Sequence, residues 1–204
     1  MTMIKAVLFD WGNVLNSHDG LNAKLANFIG VSEQKFQEAV PKSIHDWHTG
    51  LPEEIWWERM AKESGGVYRG GLYWREAFEA VVKINKELFS VVKKLRNEGY
   101  KTAMITNAEM PNMQYIQERI VGSKYNAFDV YVYSCSPEVK AAKPKPKIYQ
   151  IGLDKLQVSR GESLLVDDVE ENVRDFRNMG GHGIVHKNNH QTMQELSRIL
   201  DVFF

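Results

Sequence analysis

The sequence predicts an α/β fold in which helices cover both faces of a doubly wound parallel β-sheet, with a helical segment inserted after the first strand. The apolar run from Ala6 to Phe9 is followed by a turn signal and has the length of a buried parallel strand. From about residue 85 onward, strand-like and helix-like segments alternate, as they do around a parallel sheet. Between residues 16 and 83 there is no convincing strand, and the periodicity is helical.

The inserted interval is predicted to be a small helical unit. Its expected helices cover residues 21–29, 32–40, 53–63 and 73–82. The helix after Pro52 has the clearest start, because two acidic residues follow that proline. Four of the five tryptophans fall in this interval, namely Trp47, Trp56, Trp57 and Trp74. Since aromatic side chains supply much of the buried surface of small bundles, we expect them to form a helical core. The predicted division is residues 16–83 for the insertion and residues 1–15 with 84–204 for the sheet domain.

The second half of the chain supplies the remaining strands and helices. A helix with an apolar face at Leu88, Val91, Val92 and Leu95 is expected to end at Gly99. Strands are predicted at residues 101–105, 130–133, 163–166 and 183–185. Helices are predicted at residues 111–121, from about 144 to 156, from about 169 to 179, and at 191–202.

Composition limits the classes of function. The 204 residues contain 26 Lys and Arg and 26 Asp and Glu, so no overall basic field is present to attract nucleic acid or an anionic membrane. The single cysteine, Cys135, excludes an internal disulfide and suits a reducing compartment. No apolar run approaches the length of a membrane span, and the N-terminal run is too short for a signal peptide. We therefore expect a cytoplasmic protein that binds neither nucleic acid nor membrane; composition leaves the oligomeric state open.

Polar residues follow four of the predicted strands. Asp10 ends the first, Thr106 ends the second, Lys143 comes just after the third, and Asp167 with Asp168 ends the fourth. Because the carboxyl ends of parallel strands border one crevice, we expect these side chains to lie together. Individually, Asp10 could begin a turn, Lys143 could be a solvated loop lysine, and the paired acids could cap a helix.

As a group, these side chains suit phosphoryl transfer. Carboxylate oxygens are the ligands that Mg²⁺ prefers. The metal, an ammonium group and a hydroxyl group together neutralise and orient a phosphoryl group. Asp10 would then attack phosphorus and form an aspartyl-phosphate intermediate.

The ordered set of motifs resembles that of the haloacid dehalogenase (HAD) superfamily. The matching segments are Phe9 to Leu15, Ile105 to Asn107, Lys143-Pro144 with Ile148-Tyr149, and Val166 to Asn172. The Phe-Asp-x-Gly-Asn-Val form of the first motif is similar to a branch that includes sugar-phosphate phosphatases. The resemblance implies a Rossmann-like core with a small α-helical cap, which would be the inserted interval.

The resemblance also implies a set of metal-binding residues. Asp10 would be both the nucleophile and a Mg²⁺ ligand, and the backbone carbonyl of Gly12 would be a second ligand. Asp168 would be the main acidic ligand, while Asp167 would support it through water. Asn172 would orient these acids.

The substrate side of the site follows from the same resemblance. Thr106 and Lys143 would bind the phosphate, helped by the backbone of Asn107. Trp11, directly after the nucleophile, and His48 in the insertion are candidates for the wall of the substrate pocket. The alternative for Trp11 is packing against the insertion. The expected substrate is a small phosphorylated molecule.

Gly12 departs from the usual pattern of the family's phosphatases, most of which carry a second Asp at this position. That Asp protonates the leaving oxygen and then deprotonates the attacking water, help that is typically worth ~10²–10⁴-fold. We therefore hypothesise a preference for good leaving groups such as aryl, acyl or anomeric sugar phosphates.

A histidine could supply the missing acid and base, since its pKa is near neutrality. His45 and His48 lie in a polar and aromatic stretch of the insertion, and His18 with Asp19 lies just past the first strand. For each of them the alternative is a surface position without a chemical role.

Three functions remain open from the sequence. The first is a Mg²⁺-dependent phosphatase. The second is a 2-haloacid dehalogenase, in which Asp10 attacks carbon without a metal, although the paired acids at 167 and 168 disfavour it. The third is a phosphate-binding or regulatory protein that has lost turnover through Gly12.

Overall fold

Five parallel strands form the central sheet of the protein, for which a computed structural model describes residues 3–204. In chain order these strands are β1 (Ala6–Phe9), β4 (Lys101–Thr106), β5 (Val130–Tyr133), β6 (Ser163–Asp167) and β7 (His182–Val185), and two short strands outside the sheet are β2 (Asn16–Ser17) and β3 (Lys83–Ile84). The order across the sheet is β5-β4-β1-β6-β7. The chain therefore leaves the central β1 first toward one edge and later toward the other, which opens a crevice at the carboxyl end of β1.

The register aligns the polar strand ends. Phe9 lies opposite Met104 of β4 and Val166 of β6, so Asp10 comes level with the ends of both neighbours. All four residues of β1 are fully buried, as expected for a strand covered on both faces. The predicted parallel sheet and its strand positions are confirmed to within one residue at each end.

The inserted segment contains five α-helices and a short 3-10 helix at Val40–Lys42. The α-helices are α1 (Leu21–Phe28), α2 (Glu33–Ala39), α3 (Ile44–Trp47), α4 (Glu53–Ser64) and α5 (Trp74–Glu79). Four of them match the predicted helices. The short α3 was not predicted, because a single helical turn leaves no periodicity to detect.

The expectation of no strand between residues 16 and 83 is wrong at the two ends of that interval. Strands β2 and β3 pair in antiparallel fashion, with Asn16 opposite Ile84 and Ser17 opposite Lys83. Helix α5 ends at Glu79 rather than near residue 82. Two-residue strands are too short for an alternating pattern, so sequence periodicity could not reveal them.

The predicted aromatic core of the insertion is present. Trp47 and Trp56 stack with ring centroids 4.6 Å apart, and Trp57 packs against Phe28 at 4.7 Å. All four tryptophans of the interval are buried. One continuous apolar cluster joins these side chains to one face of the sheet.

Helices cover both faces of the sheet. They are α6 (Lys86–Asn97), α7 (Met110–Ile116, continued by a π-helical turn), α8 (Pro146–Leu156), α9 (Glu170–Asn178) and α10 (Asn189–Leu200). Val7 and Phe9 of β1 belong to the apolar cluster on the face that also carries the insertion, whereas Ala6 and Leu8 belong to the cluster on the opposite face. The sheet is therefore doubly wound, as predicted.

Within residues 3–204, none of the helices combines the length and apolar character needed to cross a membrane.

Candidate active site

Lys143 lies at the centre of the polar cluster beyond the strand ends. Its Nζ is 2.7 Å from Oδ1 of Asp10 and 2.6 Å from Oδ2 of Asp167. Lys143 is 5% exposed, so it is a buried counter-ion and not a solvated loop lysine. Burial opposes its charge, but the two carboxylates outweigh burial and raise the pKa of Lys143.

Asp10 is a strongly perturbed carboxyl group. Burial is the main cause and raises its pKa to about 7, while Lys143 acts in the opposite direction and Asp167 raises it further. The backbone N–H of Trp11 donates to Oδ1 of Asp10 over 2.7 Å and fixes its orientation. Crowding of carboxylates around one ammonium group leaves this edge of the sheet short of positive charge.

Both carboxylate oxygens of Asp167 bind other groups of the protein. Its Oδ1 accepts from the backbone N–H of Val169 and from Nδ2 of Asn172, both over 2.9 Å, while Oδ2 faces Lys143. Asp167 is also completely buried. Asn172 and the backbone of Val169 therefore fix the orientation of the Asp167 carboxylate.

Asp168 is more accessible than Asp167. It is only partly buried, and its Oδ2 accepts from Nδ2 of Asn13 over 3.1 Å. One carboxylate oxygen from each of Asp10, Asp167 and Asp168 lies within 4.8 Å of the others. Three hard oxygen donors at this spacing are suited to Mg²⁺, and Asp168 has the freest carboxylate among them.

Asn107 holds the lysine loop against β4. Its Oδ1 accepts from the backbone N–H of Lys143 over 2.7 Å, and its Nδ2 donates to the carbonyl of Lys143 over 3.2 Å. Thr106 is buried at the end of β4, where its hydroxyl donates to the carbonyl of Asn107 over 3.3 Å. Asn107 thus contacts Lys143 directly, and Thr106 is linked to it through Asn107.

Ser134 is a supporting residue that sequence reasoning missed. Its Oγ accepts from the backbone N–H of Ala108 over 2.9 Å and donates to the carbonyl of Ala108 over 3.3 Å. Ser134 therefore fixes the loop after Thr106 and Asn107. No motif surrounds this serine, so only the pairing of β4 with β5 could have revealed it.

A cavity of about 490 Å³ lies between the insertion and the strand ends. Its lining on the sheet side includes Trp11, Gly12, Asn13, Asn107, Glu109 and Asn112, and on the insertion side it includes His18, Asp19, Glu33, Trp47 and His48. Asp10, Thr106 and Lys143 do not line the cavity; they lie directly beside the residues that do.

A chain of polar side chains crosses from the insertion to the sheet. Nε2 of His48 lies 3.2 Å from Oε1 of Glu109, whose Oε2 accepts from Nδ2 of Asn112 over 3.2 Å. Asn112 in turn accepts from Nε1 of Trp11 over 3.2 Å. Burial opposes the charge on Glu109, but contacts with His48 and Asn112 prevail and lower its pKa. Glu109 was missed because its role depends on partners distant in sequence.

The candidate pocket residues have different positions. Trp11 is 1% exposed and lines the cavity, and its ring packs against Phe89 of α6 and Tyr115 of α7, which belong to the sheet domain and not to the insertion. His48 lines the cavity. His45 does not: it is exposed, with Nε2 3.4 Å from Nζ of Lys145.

Gly12 has room for a side chain. A Cβ atom built there would meet only Cε1 of His18, at 3.8 Å, within the range of ordinary contact, and its φ lies outside the left-handed region. Crowding therefore does not explain why no acid stands at this position.

Two solved structures share this fold. A HAD family enzyme from Bacteroides thetaiotaomicron, in complex with magnesium and inorganic phosphate, is 19% identical, with a TM-score of 0.72 over 90% of this chain and 94% of that chain. An L-2-haloacid dehalogenase from Xanthobacter autotrophicus, with chloropropionic acid covalently bound, is 16% identical, with a TM-score of 0.65 over 96% and 83% of the two chains. At these identities the similarity shows the fold alone.

The sequence is also similar to a curated protein. Bifunctional epoxide hydrolase 2 of Rattus norvegicus is 26% identical over 127 residues, which are 61% of this chain and 23% of that protein. The chain thus spans less than a quarter of this relative in the match.

A model of the haloacid dehalogenase-like hydrolases matches residues 4–180 and so takes in every motif residue of the cluster around Lys143. The sheet order, the helical insertion after β1 and this match agree, and the chain belongs to the haloacid dehalogenase-like hydrolase family.

Proposed function

We propose that the protein is a Mg²⁺-dependent phosphatase that hydrolyses a small phosphorylated metabolite through an aspartyl-phosphate on Asp10. The observation that carries the proposal is the buried contact of Lys143 with Asp10 and Asp167, beside the freer carboxylate of Asp168. The arrangement supplies a nucleophile, a fixed cation and acidic metal ligands at one point.

The donor set fits Mg²⁺. Asp10, Asp168 and the carbonyl of Gly12 are the proposed ligands, with Asp167 acting from behind, and all their donor atoms are oxygen. When bound there, the metal would offset the carboxylate charge and polarise a phosphoryl oxygen. The complex of the Bacteroides enzyme with magnesium and phosphate supports this assignment.

The protein's own groups divide the work of the first step. Lys143 orients the carboxylate of Asp10 and attracts the phosphoryl oxygens, and backbone groups after Thr106 complete the phosphate site. An oxygen of Asp10 bonds to phosphorus as the bond to the leaving oxygen breaks. Gly12 offers no proton to that oxygen, so a leaving group that departs as a stable anion is preferred.

The cavity indicates the kind of leaving group. Its volume suits a small molecule. Asp19, Glu33 and Glu109 contribute acidic groups to its wall, and no lysine or arginine of residues 3–204 lines it. The acidic wall would repel a leaving group whose substituents are negatively charged. We therefore propose substrates in which the part of the molecule beyond the phosphoryl group is neutral or cationic.

The alternative of a 2-haloacid dehalogenase has support from the Xanthobacter structure, which shares the fold. Asp10 would then attack carbon. Two observations make it the second choice: the carboxylates of Asp10, Asp167 and Asp168 meet within 4.8 Å, as a metal-dependent reaction needs and a metal-free attack on carbon does not, and the acidic cavity wall disfavours the carboxylate of a haloacid.

The test is hydrolysis of p-nitrophenyl phosphate, with Mg²⁺ and with EDTA, by the wild type and Asp10→Asn. We expect turnover only with Mg²⁺ and its loss in Asp10→Asn, because an amide cannot attack phosphorus. The matched control is Asp154→Asn, an exposed carboxylate on α8, which should retain wild-type turnover. Chloride release from 2-chloropropionate without metal would establish the dehalogenase instead. Tight binding of phosphate without turnover would establish the binding protein.

A further inference from the structure

The space beside Gly12 is bordered by one histidine. His18 follows β2, and its Cε1 lies 3.8 Å from the point where a Cβ at position 12 would stand. Its side chain is partly buried and lines the cavity, with its ring packed 6.0 Å from that of Phe78. His18 therefore borders the space into which a side chain at position 12 would extend.

Hydrogen bonds fix which ring nitrogen of His18 carries the proton. Nδ2 of Asn16 donates to the carbonyl of Trp11 over 2.8 Å, so Oδ1 of Asn16 is the atom that faces Nδ1 of His18 at 3.0 Å. An amide oxygen can only accept, so Nδ1 must donate. In the neutral ring Nε2 then has a free lone pair and can accept a proton.

We propose that His18 is the base of the second half-reaction, with Nε2 taking the proton from the water that hydrolyses the aspartyl-phosphate. The water oxygen bonds to phosphorus, the bond between phosphorus and the Asp10 carboxylate breaks, and inorganic phosphate leaves with Asp10 regenerated. The proton on Nε2 returns to solvent. The inference rests on the proposed phosphatase function.

The same tautomer explains why only one half-reaction would be assisted. A neutral ring with its proton on Nδ1 has none on Nε2, so it cannot protonate a leaving oxygen in the first step. The sequence-based preference for good leaving groups and the base role of His18 are therefore compatible.

The experiment follows p-nitrophenyl phosphate hydrolysis by stopped flow, with Mg²⁺, in the wild type and His18→Ala. We expect His18→Ala to release p-nitrophenolate in a burst of one equivalent per site, followed by steady-state turnover ~10²-fold below wild type. Acid quench and intact mass should show a phosphoryl group accumulating on Asp10. The matched control is His190→Ala, an exposed histidine on α10, which should show neither effect.

A second variant separates chemistry from folding. Adding Gly12→Asp to His18→Ala places a new base in the same space, so the steady-state rate should recover and the phosphoryl group should no longer accumulate. A His18→Ala steady state equal to wild type, or an equal loss in burst and steady-state rates, would overturn the inference while leaving the phosphatase intact. Absence of both phosphorylation and turnover in the wild type would instead refute the proposed function.

Discussion

Lys143 is the residue on which the buried charge of the site depends. It is the shared partner of Asp10 and Asp167, and all three side chains are withdrawn from water. Removing one partner of a buried ionic group is costly because the remaining charges lose their compensation.

We predict that Lys143→Met abolishes turnover and lowers the free energy of unfolding by ~3–5 kcal/mol at neutral pH. The cost should shrink in acid, because protonation removes the charge of the stranded carboxylates. Urea unfolding at two pH values measures both effects. Lys5→Met removes a surface pair with Glu162 and serves as the control, with little change expected. An unchanged midpoint for Lys143→Met would show that the buried cluster is not ionic.

At position 12, the free space beside Gly12 allows a gain-of-function test. We predict that Gly12→Asp raises kcat/KM for alkyl phosphates by ~10-fold or more, and raises it less for p-nitrophenyl phosphate, because only poor leaving groups need a proton. The measurement is the ratio of kcat/KM for the two substrates in variant and wild type. An unchanged ratio would mean that a proton donor at position 12 does not limit the reaction.

At the scale of elements, the segment after α3 approaches the sheet closely. Gly50 has φ of +102°, and a Cβ there would lie 3.1 Å from the carbonyl oxygen of Cys135. The left-handed backbone conformation favours glycine, and a Cβ at this position would also crowd the carbonyl oxygen. This segment follows His48, whose contact with Glu109 also joins the insertion to the sheet edge.

We expect Gly50→Ala to lower Tm and raise KM, because the added methyl group pushes the insertion away from the backbone at Cys135 and so alters the cavity between the insertion and the sheet. Thermal unfolding and steady-state kinetics measure the two effects. Gly122→Ala is the matched control, since position 122 has φ of −86° and open space around its Cβ. Equal effects of the two substitutions would contradict the proposed close approach.

The elements with clear periodicity were predictable from the sequence. The buried strand β1 and the amphipathic helix α6 were found because their patterns extend over several residues. The pair β2 and β3 was not, since two residues carry no period. Such short strands form because residues distant in sequence pair in the folded chain.

The same distinction applies to the candidate site. Asp10, Lys143 and Asp167 follow predicted strands, so their meeting could be inferred from topology. Glu109 and Ser134 belong to no motif. Their roles depend on contacts that form only in the folded chain, Glu109 with His48 and Ser134 with the backbone of Ala108. His45 and His48 look equivalent in sequence, but only His48 lines the cavity.

For the molecule as a whole, a net charge of zero conceals an uneven distribution. Positive charge at the site is concentrated on buried Lys143, while the wall of the cavity carries acids. We predict that phenyl phosphate is hydrolysed with higher kcat/KM than 4-carboxyphenyl phosphate, although the latter has the better leaving group. Asp19→Asn should reduce the difference, as should added salt. A preference for the carboxylated substrate would contradict the proposed leaving-group charge.

The apolar cluster that joins the insertion to one face of the sheet has a consequence for cooperativity. Because Trp47 and Trp56 share that cluster with Phe9 and Val7, the insertion cannot separate from the sheet without exposing apolar surface on both. The free energy of forming the pocket is therefore coupled to that of folding the whole chain. Substitutions in the tryptophan core should therefore lower the fraction of molecules with an assembled active site, even though they leave the side chains around Asp10 unchanged.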